Sequence, residues 1–427
     1  MASFSIPLTG LQADSTALNT IANDLSNMNT TAFKSQTTNF SDLFYQQVGS
    51  TAGGDPIQVG AGVQVASNAT SYTEGPITST GNNNDVALNG SGFFVVETAN
   101  GGYQYTRAGD FSTDANGDLV TSNNFNVMGY PATNGVANTN GAVAAINIPV
   151  GVVQEPQATQ NISITANLDS VSATGDQFPA QLTVYDSLGA SHVATITYTQ
   201  TGLDTWNYSA ALPAGDFTSG TSTPVTGTMT FNSTGNLISV QPTGAAAPSA
   251  VGTATGDVSS IPLSFSGLSD GVSNLNMSWN LLGSNGKPTI SQVDTASAVG
   301  ATNQDGYASG TYESFAVGAN GTVTASYTNG QTEVIGQLAV ANVTNAQGLN
   351  LQGNGDYATT TASGSAVMGV AGQGGLGTMQ DEALEGSNVN ISQEFSNLIV
   401  AQRAFEANAK SVTTFDTVTQ DTINLIH

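Results

Sequence analysis

The chain has no cysteine, which excludes disulfide staples, thiolate metal ligands and a cysteine nucleophile. Histidine is almost as scarce: His192 falls in a predicted strand and His427 is the last residue. With no histidine near a GxSxG turn, hydrolase chemistry lacks its base, and so little imidazole argues against a structural zinc site. Basic residues are few, five Lys+Arg against 30 Asp+Glu, for a formal charge of −25. That balance excludes a broad electrostatic footprint for nucleic acid or anionic membrane. No run approaches the roughly 20 apolar residues of a membrane-spanning helix, so no membrane insertion is expected. The opening "MASFSIPLTG" has neither a basic n-region nor a continuous apolar h-region and does not read as a secretory signal. Low charge with abundant Ser, Thr, Asn and Gly still resembles secreted surface proteins, and if the chain leaves the cell it does so by a route other than a cleaved signal.

Glycine and proline, 49 and 13 in the whole chain, are missing from Asn388 to His427. There apolar or small residues recur at Ile391, Phe395, Leu398, Phe405, Ala409, Val412, Ile423 and Ile426. These steps are sums of three and four, the spacing of one helix face. Asn390 and Gln393 fit a capping box, and Arg403 and Lys410 bracket Glu406 on the solvent face. Such a helix would be about 54 Å long at 1.5 Å per residue, too long for the edge of a small β-domain. A second stripe, Leu8, Leu11, Leu18, Ile21, Leu25 and Met28, opens the chain and stops at "NMNTTAFKS", where Asn, Thr and Ser compete with the helical backbone. The two ends are expected to pair antiparallel. Phe395, Phe405, Leu25 and Met28 would remain partly uncovered, which points to helices of other copies.

Charge is unevenly placed. Residues 1–50 and 388–427 hold seven acids and three bases, whereas the other 337 residues hold 23 acids against Arg107 and Lys287. Acidic middles keep copies apart, and weakly charged ends can associate. The middle reads as sheet: Asn-Gly turns recur from Asn89 to Asn329, between runs such as "GFFVVET" and "IGQLAVANV". In "TVYDSLGASHVATITYT" a glycine turn joins two strands into one hairpin. Composition shifts fall near 75, 150, 300 and 387. "DANGD" (Asp114, Asn116, Asp118) has the alternating oxygens of a calcium loop, but Phe stands where the bidentate Glu belongs, and a hairpin turn accounts for it more simply. "GQGGLG" (372–377) lacks a phosphate-binding context. No catalytic residues and no cofactor are expected; the chain does not read as an enzyme.

Three stretches carry a resemblance: "GLQADSTALNTIANDLSNMNTTAFKSQTTNFSDLF", "DVALNGSGFFVVETANGGYQYTRAGDFSTDANGDLVTSNNFNVMGYPA" (85–132) and "LEGSNVNISQEFSNLIVAQRAFEANAKSVTTFDTV". A weaker fourth spans 305–343. Together they resemble the bacterial flagellar rod and hook axial proteins, hook proteins in particular. The resemblance implies a mainly β fold with α-helical termini, its β-domains nested between N- and C-terminal helices that pair in a coiled-coil-like inner layer. The implied domains are 1–30 with 388–427 (helical core), 31–75 (extended linker), 76–150 with 301–387 (first β-domain) and 151–300 (outer inserted β-domain). It implies a homopolymer, the curved flexible tube of the extracellular hook, which carries torque from rod to filament. The assembly face would hold Leu11, Leu18, Ile21, Leu25, Met28, Phe395, Leu398, Phe405, Ala409, Val412 and Ile423. Rod, hook–filament junction, hook cap and export apparatus are the implied partners. In "FSDLF", Phe40 and Phe44 resemble the element that the export apparatus reads. A distal rod protein, which would lack an insertion like 151–300, and a secreted β-rich adhesin or surface-layer protein are the alternatives.

Overall fold

The computed structural model describes residues 5–51, 53–252, 254–272 and 274–425. The fold is mainly β, with 45% of residues in strands, bracketed by helices α1 (Ser5–Ser26) and α2 (Ile391–Leu425) that pack on each other. Ile426 and His427 lie outside the described residues. The Asn390 side chain caps α2, accepting from the Gln393 backbone N–H at 3.2 Å. The reciprocal half of the expected box is replaced, because Gln393 Nε2 donates to Asn397 Oδ1 at 3.0 Å. α1 ends as expected where short polar side chains turn back: Ser26 donates to the Ala22 carbonyl and Asn27 Nδ2 to that of Asn23. The chain then reverses through Ala32, buried and left-handed at φ 55°, a conformation costing roughly 1–2 kcal/mol in a residue with a Cβ.

Residues 31–75 are not the extended linker that the resemblance implies. β1 (Gln36–Asp42) pairs antiparallel with β4 (Val63–Thr70), from Gln36↔Thr70 to Asp42↔Val63. Between them β2 (Gln46–Ser50) and β3 (Pro56–Val59) form a second hairpin. The β1–β4 ladder lies on α1. There the Gln36 N–H donates to Asp24 Oδ2 (2.8 Å), Thr38 Oγ1 to Thr20 Oγ1 (3.0 Å) and the Val63 N–H to Thr9 Oγ1 (3.2 Å). Side-chain and backbone hydrogen bonds replace apolar burial in this segment, so the sequence lacks the alternation that announces a strand.

The chain divides into two compact units: 1–150 with 313–326 and 332–427, and 151–312 with 327–331. In the first, the strand Thr332–Asn342 pairs with both Asn126–Thr133 (Gly129↔Leu338) and Phe93–Glu97 (Val340↔Phe94). Segments from either side of the second unit therefore share one sheet, over a core of Phe93, Val95, Tyr105, Tyr130, Ala339 and Tyr357. Gly109 permits one close approach: a Cβ there would lie 1.7 Å from the Val86 carbonyl oxygen. In the second unit a six-stranded antiparallel meander, Gln177–Tyr185 through Ser249–Ala250, shares one core with a five-stranded sheet centred on Asn161–Asp169. Every second residue of Asn161–Asp169 is buried, as a strand with one core face requires. Trp279 lies at the centre, edge-on to Tyr208 and Tyr198 with ring centroids 5.5 and 6.2 Å away.

Candidate assembly interface

Two different stripes run along each terminal helix. α1 buries Pro7, Gly10, Ala13, Thr20, Ile21 and Asp24, mostly small or polar side chains. On α2 the half-buried residues include Glu394, Asn397, Ala401, Ala404, Asn408, Val412 and Phe415, a row in threes and fours. Gly10 faces Asn408, and Asp24 lies near Glu394, so the helices run antiparallel. A Cβ on Gly10 would come within 2.6 Å of Asn408 Nδ2, which itself donates to Asp14 Oδ2 at 2.8 Å. Glycine, alanine and asparagine thus make a narrow seam that lets two backbones approach.

The large apolar side chains lie mostly outside that seam. Of the expected face, Ile21 is buried, while Leu11, Leu18, Leu25, Leu398, Ala409 and Val412 are half-buried. Met28 is exposed, and Phe395, Phe405 and Ile423 keep 52%, 37% and 54% of their surface. Ile399, Val400 and Val418 are exposed as well, and no residue of this 35-residue helix is buried. An isolated helix owes little to propensity, and in a protein its stability comes from burying an apolar face. A groove of about 370 Å³ runs beside the seam, lined by Ala17, Ile21, Phe40, Val400, Ala401 and Ala404. Phe40 therefore belongs to this surface, while Phe44, 93% exposed, lies beyond β1 and apart from it.

The base of the helix pair is fastened by charges that periodicity does not reveal. Glu385, fully buried just before α2, takes Lys34 Nζ on one oxygen (2.5 Å) and Arg107 Nη1 on the other (3.1 Å). Lys34 also donates to the Thr73 carbonyl, Gly75 N–H to Glu385, and Arg107 to the carbonyls of Leu88 and Gly90. Two of the chain's five cations thus meet one carboxylate and tie the exit of α1, the β-core and the entry of α2 together. Burial is the main influence on Lys34 and lowers its pKa, with Glu385 opposing. Asn388 adds a neutral clasp, accepting from the Ser35 N–H and donating to the Ser71 and Thr73 carbonyls. Asp24 is buried with Oδ1 unpartnered; burial pushes its carboxyl up to about 6, against the Gln36 N–H. The scarcity of cations was the one available signal, since a buried Lys or Arg needs a carboxylate. In the "DANGD" turn, Asp114 Oδ1 accepts the N–H groups of Asn116 and Asp118, the work of a hairpin turn.

Paired terminal helices with most of their bulk uncovered, carrying β-units between them, are the architecture of a self-associating structural subunit. The comparisons with known proteins narrow that class. Residues 158–307 match the flagellar basal body protein FlaE D2 domain and 87–171 the flagellar hook protein FlgE/F/G D1 domain. Residues 7–34 match the flagella basal body rod protein family, and 380–425 the C-terminal region of the flagellar basal body rod FlgEFG proteins. The flagellar hook protein FlgE of Salmonella typhimurium is 34% identical over 441 residues, covering 99% of this chain and 100% of its own. That of Treponema pallidum is 32% identical, with 98% of each covered. The crystal structure of Helicobacter pylori flagellar hook protein FlgE2 shares the fold at a TM-score of 0.52, with 14% identity, over 72% of this chain and all of that one. The chain belongs to the flagellar hook protein family and is a structural subunit of the hook; the rod and adhesin alternatives are not favoured.

Proposed function

We propose that copies of this chain polymerise into the hook tube through the uncovered faces of α1 and α2. The observation that carries this is α2 itself, 35 residues long with none buried and with Phe395 and Phe405 exposed. Leu11, Leu18, Leu25 and Met28 of one helix pair, with Phe395, Leu398, Phe405, Ala409, Val412 and Ile423, would meet neighbouring copies. The groove around Ile21 and Phe40 would receive a neighbour's large side chain, and the weakly charged ends offer little repulsion to this packing. The proposed division places the helices in an inner wall and the β-domains 76–150 with 301–387 and 151–300 outside it. The β-domains slide as the curved tube turns and passes torque from rod to filament. The terminal subunits meet the rod, the junction proteins and the cap outside the cell. Phe44, exposed and unengaged by the fold, stays available to the export apparatus. The test is an assembly assay with Phe395→Asp, Phe405→Asp and Ile423→Asp. Each is expected to leave soluble subunits where the parent forms tubes, and normal tubes from all three would refute the reading.

A further inference from the structure

His192, the only histidine among the described residues, is 7% exposed and lies at the start of the strand Ser191–Gly202. Three carboxylates surround it, supplied by three separate segments. Asp216 Oδ2 lies 2.8 Å from Nδ1, while on the other side Asp186 Oδ2 and Asp270 Oδ2 lie 3.3 and 3.6 Å from Nε2. Asp186 is fully buried, and its other oxygen accepts the N–H groups of Leu188 and Ala190. Its carboxylate is therefore fixed in place by the Asp186–Ala190 turn. The one Lys or Arg of this unit, Lys287, is exposed. The pocket consequently holds three acids against one imidazole.

The arrangement differs from an acidic surface patch in being organised around a buried nitrogen donor. A carboxylate at Nδ1 selects the tautomer that leaves Nε2 free, and this carboxylate–histidine pairing is the usual support of a metal-binding imidazole. Nε2 and the two oxygens beside it lie within 4.8 Å of one another. Ligands about 2.0–2.1 Å from a tetrahedral ion are separated by roughly 3.3 Å, close to the 3.3 and 3.6 Å found here. The second sign is that Asp186 and Asp270 each place a carboxylate oxygen within 4.8 Å of the other's and of Nε2. Two carboxylates so close need a proton or a cation between them, and Asp270, exposed at the surface, leaves a side of the site accessible to water.

We propose that His192 Nε2, Asp186 and Asp270 bind a divalent transition metal ion such as Zn²⁺, with Asp216 as positioning residue and water in the remaining position. The scarcity of Cys and His excludes the thiolate and multi-histidine sites, but not this mixed one. The ion would join the Asp186–Ala190 turn, the Asp216 segment and the Asp270 loop, stiffening one end of the unit. Coordination needs the imidazole neutral and the carboxylates ionised, so binding displaces protons and affinity should rise with pH.

The test is calorimetric titration of the full chain with ZnCl₂ in excess Mg²⁺, in two buffers of different ionisation enthalpy. The expected result is one saturable site that releases protons, with Asp270→Asn and Asp216→Asn each weakening it about tenfold or more, the range for lost ligand support. Asp270 lies in a loop, so its variant should keep the parent's circular dichroism and remain interpretable if His192→Gln misfolds. Visible d–d bands of a Co²⁺ complex, lost in Asp270→Asn, would support the site independently. Absence of a saturable site, or binding unchanged in Asp270→Asn and Asp216→Asn, overturns the proposal and leaves a protonated imidazole among carboxylates.

Discussion

Glu385 and Asp24 show opposite ways of handling a buried charge. Glu385 is matched by two cations, so Glu385→Gln leaves Lys34 and Arg107 without their carboxylate. Breaking a buried pair in this way costs about 3–5 kcal/mol, and the chemical denaturation midpoint of the first unit should fall accordingly. Asp24 has no cation, and its folded pKa of about 6 lies above the ordinary 3.8. Its contribution to stability is therefore present below pH 3.8 and is lost as pH rises through about 6. Asp24→Asn retains an acceptor for the Gln36 N–H without the charge. At pH 7.5 its thermal midpoint should exceed the parent's, by about 2–4 °C for each kcal/mol recovered, and the difference should shrink by pH 4. Equal offsets at both pH values would mean that the charge of Asp24 is not the cause.

At the scale of elements, α1 and α2 pair along one face and, in the proposed tube, would meet neighbouring copies along the adjacent one. Gly10→Val should force the helices apart at Asn408 and destabilise the pair within one subunit. Phe405→Asp should block assembly while moving the subunit's thermal midpoint by less than about 2 °C, under the shift of 1 kcal/mol in a domain of this size. The helices were legible because an uninterrupted three-and-four spacing without Gly or Pro is strong evidence of helix. The division of faces was not, because Gly10, Ala401, Ala404 and Asn408 carry no hydrophobic signal and matter only once two backbones touch. β1 and β4 carry no strand signal in the sequence because their stabilising bonds go to Asp24, Thr20 and Thr9 rather than to an apolar face. Lys34 and Arg107 stood in recognised motifs, yet their partner Glu385 lies 351 and 278 residues away in sequence. The hairpin around Asp186–Ala190, by contrast, has local turn chemistry and alternation, and it was plain from the start.

For the whole molecule, the second unit has its own core, and Val153 pairs with Thr311 where the chain enters and leaves it. Replacing 154–310 by a short linker should therefore leave the first unit folded and able to assemble into tubes with altered curvature or flexibility. Loss of the Thr332–Asn342 sheet in such a variant, seen by hydrogen exchange, would show that the units do not fold separately. The central claim is that the uncovered side chains of α2 are buried between copies, and an electron cryomicroscopy reconstruction of the polymer formed by the purified chain tests it most directly. The account predicts a tube whose wall contains paired α1 and α2 helices, with Phe395, Phe405 and Ile423 enclosed by neighbouring subunits. A polymer in which those three side chains still face solvent would contradict it.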